Sequence, residues 1–234
     1  ELDNVVNWSN QRGMVAYLSN SLTADFYTNL KYLSQLASRY KNNPYVWLGP
    51  MNEPNCNLYT GDPTKCYNWS YWQQQHQQYV DTIRSTGFTG PIVVNTINYS
   101  WDLSEITNYP LNDSNIIYGA HRYGNGNTTF TPADQVDCDT KWADLANQFA
   151  IIIDEVGAYN SDLKRPEQLG WQQGFIDYAT NWVNTRGGLG VIGFVWYWYD
   201  DNNLSGDWRT HTSNGILTPW GNIFYNSYLK KIVS

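Results

Sequence analysis

Short apolar runs alternate with segments of helical periodicity along the whole chain, and this alternation confines it to one fold class. Glu1 to Arg12 reads as the end of an amphipathic helix, with Leu2, Val5, Val6 and Ser9 on one side and Gly13 as its stop. Met14 to Leu18 is then a strand, followed by a helix carrying Phe26, Leu30, Leu33, Ala37 and Tyr40 and ended by Asn42-Asn43-Pro44. Tyr45 to Leu48 is a second buried run, and Trp72, His76, Tyr79, Val80 and Ile83 mark the next helix. Gly90-Pro91 introduces a strand from Ile92 to Thr96, and Asn115 to Ala120 gives another, leading into His121-Arg122-Tyr123. A helix around Trp142, Leu145, Ala146 and Phe149 feeds the run from Ala150 to Gly157. Pro166 opens a helix with Trp171, Phe175, Tyr178, Ala179 and Trp182 on one face, stopped by Gly187-Gly188. Val191 to Trp198 is the last strand, and a closing helix lies near Trp220 to Lys231.

Six strand-helix units running one way, with no Asn-Gly turn joining adjacent strands, imply an α/β fold with a parallel sheet and helices outside it. No G-x-G-x-x-G or P-loop follows a strand, so a nucleotide-binding open sheet has no support and a barrel lacking two strands fits better. Residues 1–234 suit a single, partial barrel domain.

Two of these strands close on acid. The run Y-V-W-L-G-P-M-N-E-P, Tyr45 to Pro54, carries Glu53, and A-I-I-I-D-E-V-G, Ala150 to Gly157, carries Asp154-Glu155. The carboxyl ends of parallel strands are where α/β folds place their chemistry. A single such acid is most simply a solvated strand end or an ion-pair partner. Two of them, each ending an apolar run, point to a catalytic pair, because an acid beside a buried strand is costly unless used or paired. His76 falls on the apolar face of its helix and is read as a packed histidine, not a ligand.

The net charge of −7 and the lack of any Lys/Arg run exclude a polyanion track, so nucleic acid is not an expected partner. No apolar run is long enough to cross a membrane, and no membrane partner is expected. With 12 Trp and 19 Tyr among 234 residues, rings remain for surfaces, where their flat apolar faces and polar edges suit stacking on sugars. Cys56 and Cys66 bracket a loop containing Gly61-Asp62-Pro63 and are placed to close it as a disulfide, leaving Cys138 over. N-x-S/T acceptor patterns at Asn7, Asn68, Asn98, Asn112, Asn127 and Asn203 favour a secreted, extracellular glycoprotein. The three cysteines have no zinc-ligand spacing with the three histidines, and no metal is expected. The oxygen-rich loop Asp200-Asp201-Asn202-Asn203, with Asp207 beyond, offers calcium ligands but lacks the spacing and final glutamate of an EF-hand, and is read as a solvated loop in preference to a calcium site.

With Y-V-W-L-G-P-M-N-E-P, H-R-Y, I-I-I-D-E-V-G and G-F-V-W-Y-W in this order, the chain resembles the family 5 glycoside hydrolases of the clan A (β/α)8 TIM barrels, from about the second helix of that barrel to its end. The resemblance implies that the chain holds about strands three to eight. It also implies that Glu53 is the general acid/base and Glu155 the nucleophile, with Asn52 binding the sugar 2-hydroxyl and His121 and Tyr123 flanking the reacting sugar. Trp196 would be the platform tryptophan, and Trp198, on the same face of the strand, is the alternative platform. Tyr123 is expected to donate a hydrogen bond to Glu155 and hold it ionised, while Glu53 starts protonated. The activity implied is a retaining endo-β-1,4-glycanase acting on β-1,4-glucan, cellulase-like, in preference to β-mannan. Its partner would be a β-linked polysaccharide or oligosaccharide, and its chemistry needs no cofactor.

The chain departs from the family at its start. Only one strand precedes that of Glu53, so the family's first two strands have no counterpart, nor has the arginine the family takes from strand two. Ser19-Asn20-Ser21 stands at the end of strand three, where the family often has histidine. Six strands of a barrel would leave two open edges, so a missing N-terminal segment or another copy of the chain is expected to complete it, with a partner for Cys138 in that segment. These departures favour a second reading, a catalytically inactive barrel serving as a sugar-binding or structural secreted glycoprotein that assembles with its own copies.

Overall fold

The structure, a computed structural model, describes residues 1–20, 25–55, 65, 67–124, 127–157, 169–192, 216–217 and 219–232. The chain divides into two compact units, Glu1–Gly119 and Ala120–Ser234. The boundary falls within one strand, Ile116–Tyr123, labelled β4 below.

In the first unit, α1 (Leu2–Asn10) stops before Gly13, whose φ of 71° lies in the left-handed region that only glycine enters without strain. β1 (Ala16–Ser19) follows, then α2 (Phe26–Tyr40), β2 (Val46–Gly49), α3 (Trp69–Ser85) and β3 (Ile92–Asn95). The helix starts follow from local chemistry. The Asp25 carboxylate accepts the N–H groups of Tyr27 and Thr28 at the head of α2, and the Asn68 side chain accepts that of Tyr71 at the head of α3. The strands pair in parallel, Ala16 opposite Val46, Leu48 opposite Ile92, and Ile92 opposite Ile116. All four residues of β3 are buried, as expected of a parallel strand covered on both faces. The core is filled by Leu33, Leu36 and Ala37 from α2 and by Trp72, Tyr79, Val80 and Ile83 from α3. Arg84 closes the far end of α3 against the sheet through Asp113, with Nε to Oδ2 at 2.7 Å and a second bond at 3.0 Å.

The second unit continues β4 into α4 (Pro132–Lys141), a 3₁₀ turn (Ala143–Asn147), β5 (Ile151–Gly157), α5 (Leu169–Thr185) and a closing helix. That last helix runs as α6 (Pro219–Phe224), loosens into a π-helical turn over Tyr225–Leu229 and ends at Ile232. Thr131 and Asp134 form a reciprocal capping box at the start of α4, with Pro132 in its first turn. Trp142, Trp171, Phe175, Trp182 and Trp220 fill this unit's interior around Ile151 and Ile153. The sheet order is β1-β2-β3-β4-β5, each strand beside its sequence neighbour. Val191 forms a parallel bridge with Ile153, where the expected last strand begins, and its continuation to Trp198 lies outside the described residues.

Several boundaries differ from the sequence expectation. β2 ends at Gly49, so Glu53 belongs to a bend beyond the strand. β4 runs through to Tyr123 and so carries His121-Arg122-Tyr123 itself. The helix expected around Trp142 is only a 3₁₀ turn, and the α-helix lies before it, announced by Thr131-Pro132 and Asp134. The aromatic excess also serves the interior, since Trp72, Trp142, Trp171, Trp182 and Trp220 are all 0% exposed.

His76 is buried as read. Its ring stacks on Trp72 at 4.9 Å and its Nδ1–H donates to the Trp72 carbonyl at 2.9 Å. Burial pushes its pKa down from 6.5 to about 4, the hydrogen bond opposing this only in part. Between those values the unfolded chain binds the proton and the folded chain does not, so stability falls as the pH is lowered. The expected contribution is up to about 1.4 kcal/mol per pH unit, seen as a falling urea midpoint between pH 6.5 and 4. His76→Phe, which keeps the ring stack, should flatten that part of the profile, and an unchanged slope would contradict this account.

Candidate active site

Each unit carries its own set of placed polar side chains at the carboxyl ends of its strands. In the first unit the set centres on Asn52-Glu53-Pro54. The N–H of Asn52 donates to the Asn20 carbonyl at 2.9 Å, and that of Glu53 donates to Asn95 Oδ1 at 3.3 Å. The Pro54 carbonyl accepts from the Tyr99 N–H at 3.3 Å, and the Glu53 carbonyl accepts from Asn55 Nδ2 at 2.9 Å. Glu53 has φ of 47°, a left-handed conformation uncommon for a residue with a side chain. The altered exit of β1 therefore has a definite use. Asn20 receives Asn52, and its own N–H donates to the Gly49 carbonyl at 3.0 Å, so it braces the bend that carries Glu53.

In the second unit the set centres on Glu155 of β5. The Tyr123 hydroxyl donates to Glu155 Oε1, the bond expected from its chemistry. His121 lies with Nδ1 3.6 Å from Glu155 Oε2 and Nε2 3.3 Å from Asp154 Oδ1, its side chain only 2% exposed. Strand geometry explains the trio. His121 and Tyr123 are two apart on β4 and share a face, and Arg122 between them projects from the other. Arg122 is buried and pairs with Asp137 of α4 at 2.7 Å, with Asp134 3.9 Å away, which pins the outer face of β4. Cys138, in the same helix, is a free cysteine, fully buried, with burial pushing its thiol up to about 12.

Glycine completes the Tyr123 position. A Cβ on Gly157 would lie 2.8 Å from Tyr123 Cε1, so the phenol ring occupies space that any other residue would fill. Gly124 is likewise covered by the Trp171 indole, 3.0 Å from where its Cβ would stand.

Of the residues predicted from sequence, the first unit brings together Asn52 and Glu53, and the second His121, Tyr123 and Glu155. Trp196, Trp198, Cys56, Cys66, Asn203 and the Asp200 loop lie outside the described residues. Asn7, Asn68, Asn112 and Asn127 are exposed, whereas Asn98 is half-buried and adjoins the fully buried Ser100. Sequence reasoning missed Asn20, Asn95, Arg122 and Gly157. A signal existed for Asn95, an amide ending the apolar run Ile92-Val93-Val94, but its meaning needed the position of Glu53.

Residues 1–202 match the family model described as cellulase, glycosyl hydrolase family 5. A search of curated proteins finds no match. Among solved structures, a β-glucanase from Saccharophagus degradans aligns over 98% of this chain and 71% of its own, at 20% identity and a TM-score of 0.77. An endo-β-1,4-glucanase from Xanthomonas axonopodis pv. citri aligns over 97% of this chain and 77% of its own, at 17% identity and a TM-score of 0.72. The Thermotoga maritima endoglucanase, solved with cellobiose, gives 97% and 76%, at 16% identity and a TM-score of 0.70. At such identities the likeness is one of fold, and the fold is part of a (β/α)8 barrel.

The Gly157 contact can be tested by itself. Gly157→Ala is expected to destabilise the protein by roughly 1–3 kcal/mol through overpacking, read from the urea midpoint. Adding Tyr123→Ala should relieve that cost and adding Tyr123→Phe should not, because the clash is with a ring carbon and not with the hydroxyl.

Proposed function

The chain belongs to the cellulase family, glycosyl hydrolase family 5, and we propose that it is a retaining endo-β-1,4-glycanase in which Glu155 is the nucleophile and Glu53 the general acid/base. The observation that carries this reading is the Tyr123 hydroxyl bonded to Glu155, with His121 on the other carboxylate oxygen. A nucleophilic carboxylate must be ionised and aimed, and a phenol donor does both.

In the first step the Glu155 carboxylate attacks the anomeric carbon and forms the glycosyl ester. The bond to the leaving oxygen breaks and Glu53 gives that oxygen its proton. In the second step the Glu53 carboxylate takes a proton from water, the hydroxide oxygen joins the anomeric carbon, and Glu155 leaves as carboxylate. Two inversions return the original configuration. Asn52 would bind the 2-hydroxyl, and Trp196 or Trp198 would stack on the sugar bound at the site.

β-1,4-Glucan is the preferred substrate. The S. degradans β-glucanase, which supports this choice through its fold, is solved with cellotetraose. A β-mannan substrate is the second reading, supported by the T. maritima endoglucanase, which is solved with mannotriose as well as with cellobiose. Secretion is part of the same proposal, since four of the acceptor asparagines are exposed. A polysaccharide too large to enter a cell must be met outside it. Treatment of the native secreted protein with an amidase specific for N-glycans should therefore lower its mass.

Incubation with a 2-fluoro β-cellobioside, followed by intact mass and peptide mapping, is expected to place one label on Glu155. Glu155→Gln should abolish release of reducing sugar from soluble β-glucan, and Glu53→Gln should lower it by about 10² to 10⁴. Soluble β-mannan assayed in parallel decides between the two sugars. A protein that binds cello- and manno-oligosaccharides yet takes no label from either series would be the inactive barrel instead.

A further inference from the structure

Glu53 stands beyond its strand with φ of 47°, a left-handed conformation that is costly for a residue with a Cβ, and such a conformation persists only where its surroundings hold it. Taking Glu53 as the acid/base, as above, we propose that Asn95 is its positioning residue: the side-chain oxygen that ends β3 receives the Glu53 N–H and fixes the backbone from which the acid projects.

Asn95 is an amide in an otherwise apolar strand and is 0% exposed. A buried amide is costly unless its polar atoms are bonded. Its Oδ1 meets Glu53 N–H at 3.3 Å, and its main-chain carbonyl accepts from Trp72 Nε1 at 3.1 Å, so α3 fixes the strand end that presents it. Valine at this position, continuing the strand pattern, would leave the Glu53 N–H without that acceptor.

The chain just after Asn95 supplies the second hold. Asn98, Tyr99 and Ser100 have φ of 56°, 59° and 56°, three successive left-handed residues, none a glycine. The Ser100 hydroxyl keeps them there. It is fully buried, accepts the Thr96 N–H at 3.0 Å and donates to the Gly119 carbonyl at 2.5 Å. Thr96 Oγ1 adds a bond to the Asp102 carbonyl at 2.7 Å. From this turn the Tyr99 N–H reaches the Pro54 carbonyl. The N–H of Glu53 and the carbonyl of the next residue are thus both bonded to one stretch, Asn95 to Ser100.

A residue that positions an acid differs from one that merely stabilises the fold in which substrates feel its loss. The test compares the native protein, Asn95→Ala and Asn95→Asp on two substrates: cellotetraose, whose sugar leaving group needs a proton, and 2,4-dinitrophenyl β-cellobioside, whose phenolate departs without one. Asn95→Ala should lose about 10²-fold in kcat/KM on cellotetraose and only a few-fold in the same quantity on the aryl glycoside. Asn95→Asp keeps an acceptor in place and should recover most of the cellotetraose activity. Its added negative charge should also move the alkaline limb of the pH profile upward, because a nearby like charge disfavours ionised Glu53. Equal losses on both substrates, or no loss on either, would overturn the proposal. Should Asn95→Ala fail to fold, the Asn95→Asp limb decides alone, and an unshifted limb counts against. If the native protein turns over neither substrate, the glycanase reading has failed. The hold itself is then judged by hydrogen exchange at the Glu53 amide: faster exchange in Asn95→Ala but not in Asn95→Asp supports it, and unchanged exchange in both overturns it.

Discussion

Where a parallel strand stops, its last amide and carbonyl groups lose their ladder partners, and in a dry interior each must be met by something else. In this protein the strand exits are met by neighbouring exits and by ring hydroxyl or N–H groups from the covering helices. Asn20 receives Asn52, Ser100 reaches Gly119, and the Gly124 N–H donates to the Gly157 carbonyl at 3.3 Å. From outside the sheet, Trp72 Nε1 bonds the Asn95 carbonyl and, at the entry of the last strand, the Tyr228 hydroxyl accepts from the Val191 N–H at 2.6 Å. Within each unit, polar groups that had to be satisfied for stability therefore become the frame on which an acid is aimed. The chemistry proposed for Glu53 and Glu155 rests on that frame.

Much of this fold was legible because its signals are periodic and local. α1, α2, α3 and α5 appear where their apolar spacing placed them, and β3 and β5 match their apolar runs to within a residue. The misplacements share one cause. Trp142 and Leu145 have helical spacing, but the helix is α4, which buries only Cys138 and whose start is fixed by its cap. Likewise Tyr45 to Pro54 reads as a strand closing on acid, although Gly49-Pro50 ends the strand and hydrogen bonds from distant residues shape the remainder. Site legibility divides the same way. The Tyr123–Glu155 bond followed from motifs, each residue bearing its chemistry on its face. Asn20, Asn95 and Ser100 act through bonds to Asn52, Glu53 and Gly119, which lie 32, 42 and 19 positions away, and no local pattern encodes a partner at that separation.

The aromatic content has two destinations. Rings such as Tyr27 at 79% and Tyr67 at 63% exposure remain at the surface, while among the described residues five indoles are fully enclosed. The enclosed ones are unevenly shared, Trp72 in the first unit and Trp142, Trp171, Trp182 and Trp220 in the second. Trp72 also lies flat against the His76 imidazole. Among the described residues, four of the five enclosed indoles therefore lie in the half of the chain that carries Glu155, and since burial shifts indole emission to shorter wavelength, that half carries most of their built-in optical label for its own integrity.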